Sequence, residues 1–109
     1  MTAIIDDWKM KQEITVEELA ALSPDEVYLV DIRDEVAFER GSLPGAQNLN
    51  PLELQQGGYD LPEEKLIVCI CMWGKISLGL AQNLRKQGYA AVSLQGGYSL
   101  WLQRKLERE

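Results

Sequence analysis

The chain has 109 residues, enough for one domain of common size, and we predict a single domain over residues 1–109. Its 17 acidic and 11 basic side chains give a formal net charge of −6, which argues against non-specific binding to nucleic acid or to an anionic membrane surface. No apolar run approaches the roughly 18 residues of a membrane span, and the acidic start is unlike a secretory signal. We therefore expect a cytoplasmic protein.

The composition also limits what a cysteine can do in this chain. Cys69 and Cys71 are separated by one residue and would point to the same side of a strand, which is poor geometry for a disulfide. The sequence contains no histidine, so a zinc site would lack ligands and histidine-assisted nucleophilic catalysis is excluded. No metal or cofactor is expected, and a reactive cysteine must ionise without an imidazole base.

The first half of the chain is predicted to alternate short strands and short helices. Ile14 ends a first strand, and the Thr15–Glu18 capping box starts a helix that runs to about Ala21. The apolar run Val27–Ile32 predicts a parallel strand buried on both faces. The other predicted elements are turns at 23–25 and 43–45, helices at 34–40 and 52–56, and a strand at 46–49.

The second half continues the alternation with longer elements. Lys65–Cys71 is a second buried strand, and Ser77–Gln87 is the clearest helix. A strand at 91–94 precedes a terminal helix with an apolar stripe of Tyr98, Trp101, Leu102 and Leu106, and its last residues, 104–109, are predicted to fray. Strands separated by helices at these lengths predict an α/β fold, a parallel sheet with helices on both faces.

The residues that carry chemistry are predicted to lie where the second buried strand ends. Ligand sites of open α/β sheets lie beyond the carboxyl ends of the strands, and Cys71 closes such a strand just before a helix. Backbone amides between the two elements, together with the positive end of the helix, would lower the pKa of the thiol and stabilise a thiolate. Gly74 permits the tight turn that this arrangement requires, and Lys75 is the only cation in the loop between the strand and the helix.

Five stretches in order resemble the single-domain rhodanese pattern, over about residues 14 to 103. They are Leu29–Arg33, Glu35–Ala46, Ile67–Cys71, Cys71–Ser77, and Gln95–Gly97 with Trp101. The fourth stretch contains the six-residue active loop of the family, here called the Cys71 loop (residues 71–76), followed by a hydroxyl residue. Each stretch is weak evidence alone, whereas the ordered set is specific.

The resemblance implies a fold and an activity. Rhodanese-like domains have a five-stranded parallel sheet with helices on both faces, and the active members move sulfur from a donor to a thiol or cyanide. Cys71 would be the catalytic nucleophile that carries sulfane sulfur as a persulfide. The donor would be a small molecule or a protein persulfide, and the acceptor a thiol or another nucleophile. The expected substrate-binding residues are Met72, Trp73, Gly74, Lys75, Ile76 and Ser77.

Three positions depart from the pattern of many thiosulfate-using relatives. Arginines that follow the cysteine and end the loop are replaced by Met72 and Ile76, and a histidine before the Pro-Gly turn is replaced by Ser42. A lone lysine is a poor substitute for an arginine fork around a dianion. The sequence therefore favours a less charged donor, or a persulfide presented by a docked partner protein, over thiosulfate.

Several residues also have structural interpretations. We expect Cys69 and Trp101 to pack in the core, and Asp31 with Arg33 to fix the loops at the strand end. Ser77 is interpreted as a helix cap rather than a catalytic group. Trp73 is either a docking surface or a lid over the sulfur, and Lys75 either a substrate contact or a solvated charge.

Two other classes of function remain open. One is a non-catalytic rhodanese-like module that binds a partner, which the substituted loop would suit, although the retained Cys71 weighs against it. The other is a cysteine-based phosphatase or arsenate reductase, which needs a loop one residue longer and an arginine to hold the oxyanion. The Cys71 loop has neither feature.

Overall fold

The computed structural model describes residues 4–109, where five parallel strands form one sheet in the order β1-β5-β4-β2-β3. This confirms the predicted α/β class. The strands are β1 (Glu13–Ile14), β2 (Val27–Asp31), β3 (Gln47–Asn48), β4 (Leu66–Ile70) and β5 (Ala91–Leu94). The helices are α1 (Ile4–Trp8), α2 (Val16–Ala20), α3 (Glu35–Arg40), α4 (Pro51–Gln55), α5 (Ile76–Lys86) and α6 (Gly97–Arg108), with a 3-10 turn at Pro24–Glu26. Within residues 4–109, none of the helices has the length and apolar character of a membrane span.

Local sequence signals explain where the first helices start. The Thr15 hydroxyl accepts a hydrogen bond from the Glu18 amide at 3.0 Å, and the Glu18 carboxylate accepts one from the Thr15 amide at 2.9 Å. This reciprocal pair is the predicted capping box, and it satisfies two amides that have no partner inside the helix. The segment predicted as a turn at 23–25 is a 3-10 turn with a box of its own, because Glu26 reaches back to Ser23.

β4 is the centre of the sheet and is buried along its whole length. Because successive side chains of a strand point to opposite faces, its residues belong to two cores. Ile67, Cys69 and Cys71 share one core with the buried face of α5. The alternate residues of β4 pack in the second core with Trp8 and Val16. The prediction of a strand buried on both faces is therefore confirmed for β4.

Other predicted boundaries hold within one or two residues, with a few differences. β2 stops at Asp31, and its first three residues are only half-buried, so burial on both faces is limited to its end. α1 was not predicted, since five residues carry too short a pattern for helical periodicity to register. α6 extends to Arg108, and its residues are exposed from 103 onward.

The apolar stripe of α6 is shorter than predicted. Tyr98 and Trp101 stack with ring centroids 5.9 Å apart and pack against the second core, but Trp101 is only half-buried. Leu106 is exposed, so the contact with the core ends near Leu102. The prediction of Trp101 as a core residue is thus only partly right, because one side of the ring lies under Lys105, 5.5 Å from the ring centroid, and remains at the surface.

The register of the sheet determines which residues meet at its functional edge. Asp31 pairs with Ile70, and Cys69 pairs with Ser93, so β2, β4 and β5 end close together. Cys71 is the first residue after β4, at the carboxyl edge of the sheet. Paired residues of parallel strands point to the same face, so Ser93 lies on the face of Cys69 and Cys71.

Candidate active site

The sulfur of Cys71 faces hydrogen-bond donors from the Cys71 loop and from the start of α5. The Gly74 amide donates to Sγ at 3.1 Å and the Ser77 amide at 3.4 Å, while the Ser77 hydroxyl oxygen is 3.2 Å from Sγ. Only 6% of Cys71 is exposed, so the residue is almost completely enclosed. The expected arrangement of amides around the sulfur is present, and it is suited to holding an anion.

The two cysteines differ in how their surroundings treat a thiolate. Burial raises the pKa of Cys71, but hydrogen bonds from the Ser77 hydroxyl and from the amides of Ser77, Gly74 and Trp73 outweigh burial and bring the pKa below its ordinary value. For Cys69, burial raises the pKa to about 12, and the neighbouring Cys71 adds to the increase. Cys69 packs in the core as expected.

Ser77 is not the helix cap that its position near the helix start suggested. α5 begins at Ile76, one residue earlier than predicted, and Lys75 is its N-cap without a side-chain hydrogen bond. Ser77 is the second residue of the helix, is fully buried, and directs its hydroxyl toward Sγ and the Ser93 hydroxyl. The amide that a cap would have satisfied donates to the sulfur instead.

Glycines allow the Cys71 loop and the start of α6 to touch through their backbones. Gly74 has φ +87°, and a Cβ there would lie 2.8 Å from the Gly96 nitrogen. Gly97 has φ +64°, and a Cβ there would lie 2.5 Å from the Cys71 carbonyl oxygen. The Tyr98 amide donates to that same oxygen at 2.9 Å. The amino end of α6 therefore braces the loop that surrounds the sulfur.

The remaining loop side chains point away from the sulfur. Met72, Trp73, Lys75 and Ile76 are all exposed, Trp73 by 65% and Ile76 by 73%. Trp73 and Lys75 line a cavity of about 450 Å³ against α6, whereas Ile76 lines another of about 420 Å³. The structure thus brings Gly74 and Ser77 to the sulfur and spreads the other four candidates over the surrounding surface. An exposed side chain of this size is what a docking surface would present, and the role of Trp73 stays a prediction.

A polar network at the end of β2 supports the neighbouring loops. Arg33 forms a buried ion pair with Asp31 at 2.8 Å and donates to the Gly41 carbonyl at 2.6 Å. The Ser42 hydroxyl donates to Asp31 at 2.6 Å, and the Arg33 guanidinium lies 4.0 Å from the centroid of the Tyr98 ring. Burial raises the pKa of Asp31, but these hydrogen bonds outweigh it and keep the pKa low. The predicted structural interpretation of Asp31 and Arg33 agrees with these contacts.

Ser93 is the site residue that sequence reasoning missed. Its hydroxyl lies 2.7 Å from that of Ser77, and the residue is completely buried on β5. The available signal was a single hydroxyl residue in the otherwise apolar strand Ala91–Leu94. Without knowing which strands are neighbours, that signal could not be connected to the cysteine.

Comparisons with known proteins agree with this architecture. The family described as the rhodanese-like domain matches residues 15–104. A tRNA sulfurtransferase of Desulfurococcus amylolyticus is 37% identical over 81 residues, covering 74% of this chain and 16% of that protein. The thiosulfate sulfurtransferase GlpE of Pseudoalteromonas translucida is 30% identical over 84 residues, covering 76% of this chain and 80% of that protein. The solved structure of the human single-domain sulfurtransferase TSTD1 is 27% identical with a TM-score of 0.74, covering 84% of this chain and 95% of that one.

Proposed function

Because this chain belongs to the rhodanese-like domain family, we propose that Cys71 accepts a sulfane sulfur from a donor and passes it to an acceptor thiol. The fold and the relatives named as sulfurtransferases support a sulfurtransferase-type activity. The observation that carries the finer proposal is the position of Cys71 Sγ, within 3.4 Å of the Gly74 amide, the Ser77 amide and the Ser77 hydroxyl. These groups favour a thiolate, which is the nucleophilic form of cysteine.

The proposed reaction has two displacements at sulfur. In the first, the Cys71 thiolate attacks the outer sulfur of the donor, the new S–S bond forms, and the donor fragment leaves with the electron pair of its broken bond. In the second, an acceptor thiolate attacks the outer sulfur of the Cys71 persulfide, and Sγ leaves as a thiolate. Each step is a thiol–disulfide type exchange in which the charge of the attacking sulfur passes to the leaving group. The donors around Sγ stabilise its charge before the first step and after the second.

The surface around the sulfur supports a donor of low charge. Met72, Trp73 and Ile76 make the rim apolar, and Lys75 is the only cation of the Cys71 loop. A compact dianion would lose water there and gain few charged partners. We propose a weakly charged small molecule or a protein persulfide as the donor. Thiosulfate remains a necessary comparison because one relative is named a thiosulfate sulfurtransferase.

Intact-protein mass spectrometry tests the proposal directly. The protein is incubated separately with thiosulfate and with cysteine persulfide, and its mass is measured before and after addition of glutathione. We expect a gain of one sulfur atom, larger with cysteine persulfide than with thiosulfate, and its loss on addition of the thiol. If neither of these donors loads the protein, the alternative of a non-catalytic partner-binding module is favoured.

A further inference from the structure

A chain of buried hydroxyl groups leads from the interior of the sheet to the sulfur. The Ser93 hydroxyl oxygen is 2.7 Å from that of Ser77, which is 3.2 Å from Cys71 Sγ. At its inner end, the Ser93 hydroxyl is also 3.4 Å from the Gly74 carbonyl oxygen. Ser77 and Ser93 are completely buried. The protons of these two hydroxyls are therefore distributed among Sγ, each other and one carbonyl.

The protons of the Ser77 and Ser93 hydroxyls can be arranged in two ways along this row of hydrogen bonds. Each hydroxyl has one proton to donate, and an oxygen pair at 2.7 Å requires a proton between the two atoms. If Ser93 donates to the Gly74 carbonyl, Ser77 must donate to Ser93, and the sulfur can contribute only as a neutral thiol donor. If Ser93 donates to Ser77, the Ser77 proton is free to point at an ionised sulfur.

We propose that Ser93 is a positioning residue that acts through Ser77: when Cys71 ionises, the Ser93 hydroxyl turns from the Gly74 carbonyl to Ser77 and directs the Ser77 proton onto the thiolate. The Gly74 carbonyl then loses only a long contact of 3.4 Å. The thiolate gains a hydroxyl donor at 3.2 Å in addition to the two amides. A reversal of two hydroxyl rotors requires no movement of the backbone.

The other titratable and charged groups near this end of the sheet do not replace the hydroxyl chain. Cys69, two residues back on β4, stays neutral at ordinary pH because burial raises its pKa to about 12. Asp31 and Arg33 at the end of β2 neutralise each other in a buried ion pair. Lys75 is exposed to solvent, which screens its charge. The Arg33 guanidinium packs against the ring of Tyr98, on α6.

The consequence for sulfur transfer rests on the proposed function. When the acceptor attacks the outer sulfur, Sγ takes the electron pair of the S–S bond and leaves as a thiolate. The hydroxyl chain can then turn toward Sγ and stabilise the charge as it develops. Ser93 would therefore influence the ionisation of free Cys71 and also the rate at which the persulfide is discharged.

Alkylation kinetics test the coupling between the two serines. The rate of iodoacetamide labelling of Cys71 is measured against pH in a Cys69→Ala background, with Ser77→Ala, Ser93→Ala and the double variant. We expect Ser93→Ala to move the midpoint upward by about half to one pH unit, the size of one neutral hydrogen bond. In the Ser77→Ala background, the same change should have no further effect. Ser99→Ala, whose hydroxyl lies outside the chain, is the control that should leave the midpoint unchanged.

A second measurement uses the wild-type protein. The nuclear magnetic resonance shift of the Ser93 Cβ should titrate with the same midpoint as Cys71, because its hydroxyl reverses when the sulfur ionises. The Ser99 Cβ should not follow that midpoint. A flat Ser93 signal, an unshifted Ser93→Ala profile, or an equal shift in both Ser77 backgrounds would overturn the inference.

The inference and the proposed function can fail separately. Sulfur loading is read by mass, whereas the role of Ser93 is read by alkylation and resonance shifts of the free thiol. A protein that never loads sulfur but shows the Ser77-dependent shift refutes the function and supports the inference. A protein that loads sulfur normally but lacks that shift supports the proposed function and refutes the inference about Ser93.

Discussion

Cys69 and Cys71 are two residues apart, lie on the same face of the sheet and are both buried. The pKa values of their thiols are nevertheless shifted in opposite directions. Cys69 is in the middle of β4, surrounded by apolar side chains of the first core, and burial raises its pKa to about 12. Cys71 is one residue past the end of the strand, where burial also raises the pKa but hydrogen bonds from Ser77 and Gly74 more than offset it. Cys71 is the less deeply buried of the two residues and it also has hydrogen-bond donors, which bring its pKa below the ordinary value.

A nucleophilic cysteine is better placed at the end of a strand than within it, because only there are backbone amides free to contact its sulfur. Inside the sheet, β4 is paired with β2 over its whole length and with β5 over Ile67–Cys69, so its backbone amides serve the ladder. Past its end, the chain turns and the amides of Gly74 and Ser77 become free to donate to a side chain. The first amides of α5 have no partner inside the helix, so a thiolate there satisfies groups that would otherwise need a cap.

The largest expected effect is the loss of sulfur loading when Cys71 is replaced. Cys71→Ser should abolish the mass gain of one sulfur atom, because serine does not form a persulfide. Cys69→Ser should load nearly as well as the wild type, since its thiol lies within the strand. Intact-protein mass spectrometry after incubation with cysteine persulfide measures both. Loading that survives in Cys71→Ser and disappears in Cys69→Ser would reverse the assignment.

Charge at the rim of the Cys71 loop is the next test. Met72→Arg with Ile76→Arg should raise kcat/KM for thiosulfate by about tenfold per arginine, if each adds about 1.4 kcal/mol of net stabilisation to the transition state. Both positions are exposed, so the arginines need not be buried in the free protein. The same variant should not improve transfer from cysteine persulfide, which does not carry the compact double charge of thiosulfate. Steady-state kinetics with both donors decide the question.

A matched pair of arginines separates a local effect from a change in net charge. Met10→Arg with Val36→Arg adds the same charge at two exposed apolar positions on other segments of the chain. This control should leave thiosulfate kinetics close to those of the wild type. Efficient turnover of thiosulfate by the wild type, with no gain from the loop arginines, would mean that the amides and Lys75 hold the dianion without help.

The brace between α6 and the Cys71 loop should be sensitive to one methyl group. In Gly97→Ala, the new Cβ would lie 2.5 Å from the Cys71 carbonyl oxygen and 2.6 Å from that of Met72. We expect the free energy of unfolding to fall by about 1–2 kcal/mol because of the positive φ and by about 1–3 kcal/mol because of the steric collision. Loading at Cys71 should fall as well, because the loop must move. Urea unfolding and mass spectrometry measure the two effects.

Gly45→Ala is the control for backbone strain alone. Gly45 has φ +83°, but a Cβ there would meet nothing within 4 Å. Its cost should be limited to about 1–2 kcal/mol, and sulfur loading should be unchanged. Equal destabilisation of the two variants, with equal loading, would show that the close contact at Gly97 does not control the geometry around the sulfur.

The pH dependence of stability contrasts the two cysteines most directly. The unfolded Cys69 thiol ionises near its ordinary value of 9.0, whereas the folded one holds its proton to about 12. Between these values the unfolded state binds fewer protons, so stability falls as pH rises, by up to about 1.4 kcal/mol per pH unit. Urea unfolding should show a shallower alkaline loss in Cys69→Ala than in the wild type. If stability falls equally with pH in Cys69→Ala and in the wild type, the Cys69 thiol is not held in its neutral form by burial.

Cys71 should contribute a slope of the opposite sign. Its folded pKa is below the ordinary value, so between the two values the folded state binds fewer protons than the unfolded state. Its contribution to stability is therefore complete above 9.0 and is lost as pH falls through the folded pKa. Comparison of Cys71→Ala with the wild type from neutral to alkaline pH measures that slope. A slope of the same sign as that of Cys69 would mean that the hydrogen bonds do not outweigh burial.

Much of the fold could be predicted because the relevant signals are local. The capping box of Thr15 and Glu18 spans one helical turn, and the apolar run that became β4 needs only its own composition to be recognised. Elements with little repeating pattern were not predicted, such as the five-residue α1, whose Trp8 packs in the second core. The half-burial of Trp101 also could not be read locally, since it depends on where α6 leaves the core.

The sequence was sufficient to recognise a cysteine that closes a buried strand in front of a helix and that must ionise without histidine. It was not sufficient to show that Ser77 turns to the sulfur rather than caps the helix, or that Ser93 lies next to Ser77, because both depend on tertiary contacts. Ser93 reaches Ser77 across 16 positions of the chain, through a register that pairs β4 with β5. The physical reason is that a hydrogen bond requires two atoms within about 3 Å, and chain folding alone brings such distant positions together.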